Sequence, residues 1–390
     1  LNIQNIISDI NFSDNTNYLS IYVHIPFCKS KCIYCDFNSY ALSPYPEYFE
    51  AIKKDIEFFG GLTKRTINSI YIGGGTPSIV PPELIELTLS QIFKNFAVKK
   101  DAEITIEVNP ESLSSSKAEL YKRCGINRVS VGIQSFNEKY LKLLKRASRL
   151  EDNYKALKIV EKAGFDNVSI DLMFGLPGQK SKDWLADLKK SIEFNPAHIS
   201  AYMLTPPAHM SVESLPAEEK CADMLLECID YLEKNGFRQY EISNYARRGY
   251  ECQHNLNYWD WGEYLGFGAG AHSFMKCRDK GEFYGIRWWN KNSPAEFSGA
   301  GAQGRIRDME YIDSEKALEE VVMLGLRKSE GIKISQIEKF AKIDRDNLLS
   351  HLKKIIDKNL LYFDGKILRL KRAGIPLANY VITEVLHAIN

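Results

Sequence analysis

The sequence predicts an α/β chain: a partial (β/α)6 TIM-like barrel followed by a C-terminal α+β region that includes a small winged-helix-like unit. Three observations carry this expectation. Six short runs rich in Val, Ile and Tyr recur before residue 210, amphipathic segments of helical period separate them, and after that point an aromatic, glycine-rich stretch replaces the alternation. Strand runs that alternate with helical patterns give parallel strands joined by crossover helices.

The runs are YLSIYVHI (18–25), SIYIGGG (69–75), EITIEVN (103–109), RVSVGIQ (128–134), NVSIDLMFG (167–175) and HISAYML (198–204). Segments 46–59, 83–96, 115–124, 151–163 and 181–194 place apolar residues at helical spacing between them. The strand ends carry polar or glycine-bearing residues, as in GGGTP, EVNPE, GIQSF and DLMFGLPG. Chemistry is therefore expected at the C-terminal ends of the strands. A helix is expected over 217–235, then an aromatic stretch from Tyr240 to about Trp289, then a loop or linker over 291–310. From residue 312 two or three helices lead into LLYFDGKILRL, whose FDG between apolar runs reads as a hairpin. The expected division is an N-terminal extension (1–17), the barrel (18–210), a region packed on the barrel (211–310) and the winged-helix-like domain (311–390).

A chain of 390 residues, 44% of them hydrophobic, can fill cores of this size. Its net charge of +1, from 51 basic and 50 acidic residues, gives no argument for a nucleic-acid partner. Charged or polar residues interrupt every apolar run well before the roughly 18 residues of a membrane span. Residues 1–17 carry two Asp and no basic residue ahead of their first apolar stretch, unlike a presequence. A soluble cytoplasmic protein is expected. Residues 327–372 hold 13 basic and 6 acidic side chains, read as a solvated basic face or docking surface in preference to a DNA-binding one.

Eight cysteines do not make a disulfide scaffold in a chain this long, and three of them fall within eight positions, in HIPFCKSKCIYCDF. Cys28, Cys32 and Cys35 stand at spacing C-x3-C-x2-C directly after the first strand. Three thiolates from one short loop can hold three irons of a cubane cluster and leave the fourth iron open, whereas a structural zinc site closes with four ligands. Zinc remains the alternative, with His24 as its fourth ligand. Cys124, Cys221, Cys228, Cys252 and Cys277 are scattered and read as small buried apolar residues.

GGGTP (73–77) follows the second strand, where glycines let the backbone approach a ligand, although a tight turn also favours them. Glu107, Gln134, Arg146 and Asp171 sit at or just beyond later strand ends. Polar groups converging on one barrel mouth suit a polar, charged ligand.

The three-cysteine spacing, with Tyr34 just before the last cysteine, resembles the signature of the radical S-adenosylmethionine (SAM) superfamily. The resemblance implies a radical SAM barrel with a [4Fe–4S] cluster on Cys28, Cys32 and Cys35, whose open iron chelates the amino and carboxylate groups of SAM. One-electron reduction then cleaves the C5′–S bond and releases a 5′-deoxyadenosyl radical. Over nearly its whole length the chain is similar to the oxygen-independent coproporphyrinogen III oxidase family. That similarity implies SAM contacts by Tyr22, Tyr34, Gly74, Gly75, Thr76, Glu107, Gln134, Arg146 and Asp171, with Gly74, Gly75 and Thr76 at the amino group and ribose.

Two features separate the branches of that family. Phe37 stands where coproporphyrinogen-oxidising members carry a fourth cysteine, and HNLNYW (254–259) resembles the H-N-x-x-Y-W element of the heme chaperone branch, HemW. His254 can coordinate heme iron through an imidazole nitrogen, and Tyr258 and Trp259 offer flat faces to a porphyrin. The alternative is a core histidine that only donates and accepts hydrogen bonds. Cys252 is a less favoured thiolate ligand, and His272 in GAHSF is either near the adenosine end of SAM or a second heme ligand. Ser148 replaces a histidine usual in the family, and Pro206 and Pro207 in LTPPAHM end the sixth strand early.

The preferred expectation is a heme chaperone that binds heme and passes it to an acceptor, with the cluster and SAM controlling transfer or oligomeric state, monomer or dimer. The resemblance implies membrane respiratory proteins as acceptors and heme-storage proteins as donors. It also implies a transient peripheral membrane contact, which the basic C-terminal unit could make. No nucleic-acid partner is expected. Enzymatic turnover is left open, the alternative being a coproporphyrinogen III dehydrogenase of porphyrin metabolism that decarboxylates two propionate side chains.

Overall fold

The computed structural model describes residues 18–207, 215–277, 282–301 and 304–389. The expected N-terminal extension (1–17) lies outside them, as do Ala208, His209 and Met210 of LTPPAHM and Ala302 and Gln303 of the glycine-rich stretch.

Six parallel strands form the centre: β1 (Leu19–Ile25), β2 (Thr66–Gly74), β3 (Ala97–Val108), β4 (Arg128–Gln134), β5 (Asn167–Phe174) and β6 (His198–Met203). They lie side by side in that order, as a right-handed βαβ series requires. The crossovers are α1 (Pro46–Leu62), α2 (Pro82–Asn95), α3 (Ser115–Arg123), α4 (Glu138–Leu143), α5 (Leu150–Lys162) and α6 (Ser181–Ile192). In β1 the apolar residues Leu19, Ile21, Val23 and Ile25 enter one core with the helices, while Ser20, Tyr22 and His24 alternate to the inner face. Proline opens α1, where its missing N–H costs nothing, and Phe49, Ile52, Ile56 and Phe59 meet the sheet at helical spacing. Each such buried side chain contributes about 1.5–3 kcal/mol. β6 stops at Met203, ahead of Pro206.

The sheet continues at both edges. Beyond β6, α7 (Glu218–Lys234) leads to β7 (Arg238–Glu241) and β8 (Asn244–Ala246), with β8 antiparallel to β6 and β7 outermost. The chain then passes through α8 (Gln253–Trp259) to the opposite edge. There β9 (Tyr264–Phe267) runs parallel to β1, pairing Ser20 with Tyr264 and Val23 with Phe267. Then β10 (His272–Lys276), β11 (Gly285–Asn290) and β12 (Ile306–Ile312) add antiparallel strands to an open twelve-stranded sheet.

Segment 291–310, expected as a linker, holds a helix and most of a strand. Ser293 Oγ accepts from Glu296 N at 3.4 Å to start α9 (Pro294–Gly299), and β12 pairs with β11. A buried ion pair, Arg305 Nη1 to Asp55 Oδ1 at 2.5 Å, fixes the intervening chain to α1. β3 likewise begins at Ala97, six residues before the apolar run at Glu103, because its first residues pair with β2.

The C-terminal unit has its own core, formed by α10 (Ser314–Gly325), β13 (Ile332–Lys333), α11 (Ile334–Ile337), α12 (Arg345–Asp357), β14 (Leu361–Phe363) and β15 (Ile367–Leu370). The expected hairpin is present: Asp364 Oδ1 accepts from Lys366 N and Ile367 N, and Gly365 takes φ 79° in the turn. A final helix, α13 (Ala378–Ile389), was not expected; it buries Val381, Ile382 and Val385 in this core. Cys228 and Cys252 are buried as expected, whereas Cys124, Cys221 and Cys277 are half-buried. Among the described residues no helix is long and apolar enough to cross a membrane.

Candidate functional site

The three cysteines lie on the loop between β1 and α1, at the C-terminal ends of the strands. Tyr40 N donates to Pro26 O at 2.7 Å and Cys28 N to Tyr40 O at 2.9 Å, closing the base of the loop, and Cys35 N donates to Cys32 O at 3.2 Å within it. Each sulfur has a different polar neighbour: Thr76 Oγ1 at 3.4 Å from Cys28, Arg146 Nη1 at 3.8 Å from Cys32, and Ser39 Oγ at 3.7 Å from Cys35. His24 is not available as a fourth ligand. Its Nδ1 meets Tyr22 OH at 2.9 Å and its Nε2 meets Asn38 O at 2.8 Å. Among the described residues no three His, Cys, Asp or Glu side chains converge on a point as a single ion demands. A cubane cluster needs only three thiolates from the protein, whereas a structural zinc site closes with a fourth ligand, which His24 does not offer.

Gly74 carries φ 115°, and a Cβ there would lie 2.6 Å from the His24 ring; at Gly75 it would lie 2.9 Å from Cys28 Sγ. Only glycine lets β2 turn this close to the cysteine loop. Gly74 N donates to Glu107 Oε2 at 3.0 Å and Tyr71 OH to Glu107 Oε1 at 2.7 Å, fixing both carboxylate oxygens. Burial pushes the Glu107 carboxyl up to about 7 despite these donors. Asp171, one strand beyond β4, accepts from Ser130 at 2.9 and 3.1 Å and from Ser169 at 3.0 Å, and burial raises it too.

A polar chain links the other expected contacts. Asn109 Nδ2 donates to Thr76 Oγ1 at 3.0 Å, while Arg146 Nη2 donates to Asn109 Oδ1 at 3.1 Å and Gly132 O at 2.7 Å. Arg146 Nη1 also reaches Tyr34 OH at 3.3 Å, and its Nε is buried without a partner. Gln134 ends β4 at φ 65°, a conformation unusual for a residue with a Cβ. Tyr22 stacks on Tyr71 at 6.2 Å. Tyr22, Gly74, Gly75, Thr76, Glu107, Gln134, Arg146 and Asp171 thus share the inner face and mouth of the barrel, with Tyr34 on the cysteine loop.

Three inward residues escape the sequence reading. Tyr71 and Asn109 stand two residues from Gly73 and Glu107, so the period of two was the available signal. Arg128, 2% exposed at the start of β4, carried none; it lies inside among Tyr71, Tyr240, Cys252 and Glu103.

HNLNYW forms α8, which crosses beneath the barrel at the end opposite the cysteines. Glu103 of β3 caps it, accepting from His254 N at 3.1 Å, Gln253 N at 3.1 Å and Cys252 Sγ at 3.3 Å. His254 is 1% exposed, with Nδ1 at 2.9 Å from Ser69 Oγ and Nε2 at 3.0 Å from Tyr258 OH. Burial and the nearby Arg128 charge push its imidazole down to about 3, so the ring is neutral. The expectation of His254 as an open heme ligand does not match this geometry, because both nitrogens are engaged in a packed interior. Cys252, buried and hydrogen-bonded to Glu103, is closed in the same way. The hollow beside Tyr258, lined also by Trp261, Tyr264, Phe274, Arg287 and Met323, measures about 290 Å³. His272, by contrast, is exposed at the start of β10.

Comparison with known proteins matches residues 22–190 to the radical SAM superfamily and residues 312–377 to the HemN C-terminal domain. The heme chaperone HemW of Lactococcus lactis is 33% identical over 378 residues, covering 94% of this chain and 97% of that protein. HemW of Escherichia coli is 40% identical over 269 residues, covering 67% and 71%. Among solved structures, coproporphyrinogen III oxidase (HemN) from Escherichia coli superposes with a TM-score of 0.82 at 22% identity, covering 98% of this chain and 93% of the other. That likeness establishes a radical SAM partial barrel with a C-terminal α+β region as the fold.

Proposed function

The chain belongs to the HemW heme chaperone family of the radical SAM superfamily, and from that premise we propose that it binds heme and hands it to an acceptor protein, with a [4Fe–4S] cluster and SAM as resident cofactors. The observation that carries the reading is the 33% identity to a named heme chaperone across 94% of the chain, cysteine loop and C-terminal unit included.

Cys28, Cys32 and Cys35 would hold the cluster, and the residues around them fit that role. Thr76 Oγ1 and Arg146 Nη1 donate towards the sulfurs of Cys28 and Cys32, and Ser39 Oγ stands 3.7 Å from that of Cys35. When bound, the cluster and SAM supply an open iron and a reductively cleavable C5′–S bond. The protein's part is positional. Gly74 and Gly75 keep side chains out of the space between β2 and the loop. Glu107 and Asp171 place buried carboxylates where a cationic ligand gains most, since charges act strongly in a site shielded from water. Arg146 ties Asn109, Gly132 and Tyr34 together at the other wall.

Acceptors, on this reading, are respiratory hemoproteins, and the basic C-terminal unit is the surface that meets them at the membrane. The test is one anaerobic preparation of the reconstituted full chain, titrated with hemin and separately given coproporphyrinogen III with reductant. A saturable Soret band with no protoporphyrinogen is expected. Appreciable protoporphyrinogen would overturn the chaperone reading in favour of a radical decarboxylase.

A further inference from the structure

Three described histidines line the barrel interior, and each has both ring nitrogens occupied. His24 lies between Tyr22 OH and Asn38 O, His198 between Ser169 Oγ and Tyr240 OH, both at 2.8 Å, and His254 between Ser69 Oγ and Tyr258 OH. An iron cannot replace these partners without opening the core. The exposed His351 and His387 both belong to the C-terminal unit, on α12 and α13 and not on the barrel sheet, with His351 Nδ1 spent on Asn347 O at 2.8 Å. His272 is different. It is exposed, no hydrogen bond to its ring occurs among the described residues, and its imidazole lies against Trp289 at 5.4 Å and 21°.

The position of this pair is set by register. His272 of β10 is directly opposite Trp289 of β11, and Phe274, two residues on, is opposite Tyr264 of β9. Tyr264 pairs with Ser20, and Ser20 shares the inner face of β1 with Tyr22. By the two-residue alternation His272 and Trp289 therefore stand on the inner face of the sheet extension, at the end nearest the cysteines. The cysteine loop is fastened to this corner. Asn38 Nδ2 donates to Ala269 O and to Asn292 O, each at 3.0 Å, and Tyr40 OH donates to Asn292 O at 3.2 Å. Ala269 precedes His272 by three residues and Asn292 follows Trp289 by three. Phe37, the neighbour of Asn38 on the same loop, is 65% exposed.

We propose that heme docks on this corner with His272 as an axial ligand of its iron, the imidazole plane held by Trp289 and the porphyrin resting against Phe37. The assignment deepens the chaperone reading and depends on it. The chemistry is that of a flat apolar dianion: an imidazole for the metal, aromatic rings for the macrocycle, cations for the propionates. Lys29 and Lys31 on the cysteine loop and Lys291 after β11 are the cations at hand, whereas Asp308, opposite Trp289 on β12, turns the propionates away from that side. Heme in this place touches the loop that carries Cys28, Cys32 and Cys35, giving the cluster a short route to influence its release.

The test is a hemin titration of the reconstituted full chain followed by its Soret band, comparing wild type with His272→Ala, His272→Gly, His254→Gln and Phe37→Asp. His272→Ala is expected to lose at least tenfold in affinity and to shift the Soret maximum, and His272→Gly to regain the wild-type spectrum on adding free imidazole. Phe37→Asp should weaken binding several-fold, while His254→Gln, kept at a temperature where its circular dichroism is native, should retain the wild-type Soret maximum. An unchanged spectrum and affinity in His272→Ala would overturn the assignment, as would loss of the Soret band in folded His254→Gln. Failure of the wild type to bind hemin would instead bring down the chaperone reading itself, and this site with it.

Discussion

The Nδ1 atom of His254 lies 2.9 Å from Ser69 Oγ, so the histidine of the HNLNYW element is a strut between α8 and β2. Removing it leaves Ser69 and Tyr258 with unmade hydrogen bonds in a buried place. His254→Ala is expected to cost about 2–4 kcal/mol of stability, read as a lower urea midpoint, and His254→Gln less than half of that. An unchanged midpoint for the alanine variant would mean that α8 is not a structural brace.

The same imidazole gives a signed pH dependence. It titrates near 3 in the folded chain and near its ordinary 6.5 when unfolded, so between those values the unfolded state binds a proton that the folded state does not. Its contribution is whole above pH 6.5 and is lost as pH falls towards 3, at up to about 1.4 kcal/mol per pH unit. Carboxyls such as Glu107 and Glu241, both raised to about 7, act in the opposite sense, so the readout is the difference between wild type and His254→Gln. That difference should flatten above pH 7 and shrink steadily below pH 6.

Glu107 governs a second pH effect, on cofactor binding. With its carboxyl near 7, ionisation is incomplete at neutral pH, and a cationic ligand favours the ionised form. SAM affinity should rise between pH 6 and pH 8, by up to about tenfold per unit on the acid side. Glu107→Gln should bind more weakly and lose that slope, which equilibrium dialysis with labelled SAM would detect.

The ion pair between Arg305 and Asp55 offers a test of packing remote from the cofactors. Asp55→Ala strands a buried guanidinium and is expected to cost about 3–5 kcal/mol. The double replacement Asp55→Leu with Arg305→Met removes both charges and should recover most of it. Denaturant unfolding of the two variants side by side distinguishes a stranded charge from simple loss of a contact.

Much of the barrel can be read from sequence because its signals are local. β4 occupies the run at 128–134, and β1, β5 and β6 differ from theirs by one residue at a single end. Strand Ile306–Ile312 escapes because a glycine-rich stretch precedes it and its pairing with β11 is a tertiary matter. The cysteine triplet is legible for the same local reason, as three ligands in one loop. Arg128 is not, since a single arginine at a strand start looks like any surface charge until the strand's inner face is known. His254 shows the limit most plainly. Its six-residue neighbourhood is visible in the chain, but that α8 lies under the barrel with Glu103 at its N-terminus is decided by residues 150 positions away.

The pairing of Ser20 with Tyr264 has a consequence for biosynthesis. The outer edge of β1 stays without its partner strand until more than 240 further residues have been made, which at the usual 5–20 residues per second is roughly 12–50 s. Throughout that interval a strand of Leu, Ile and Val presents free backbone groups to anything emerging from the same ribosome or its neighbour. Cells that make this protein quickly should therefore need a holding chaperone for it, and slowing translation through residues 247–264 would lengthen the hazard rather than relieve it.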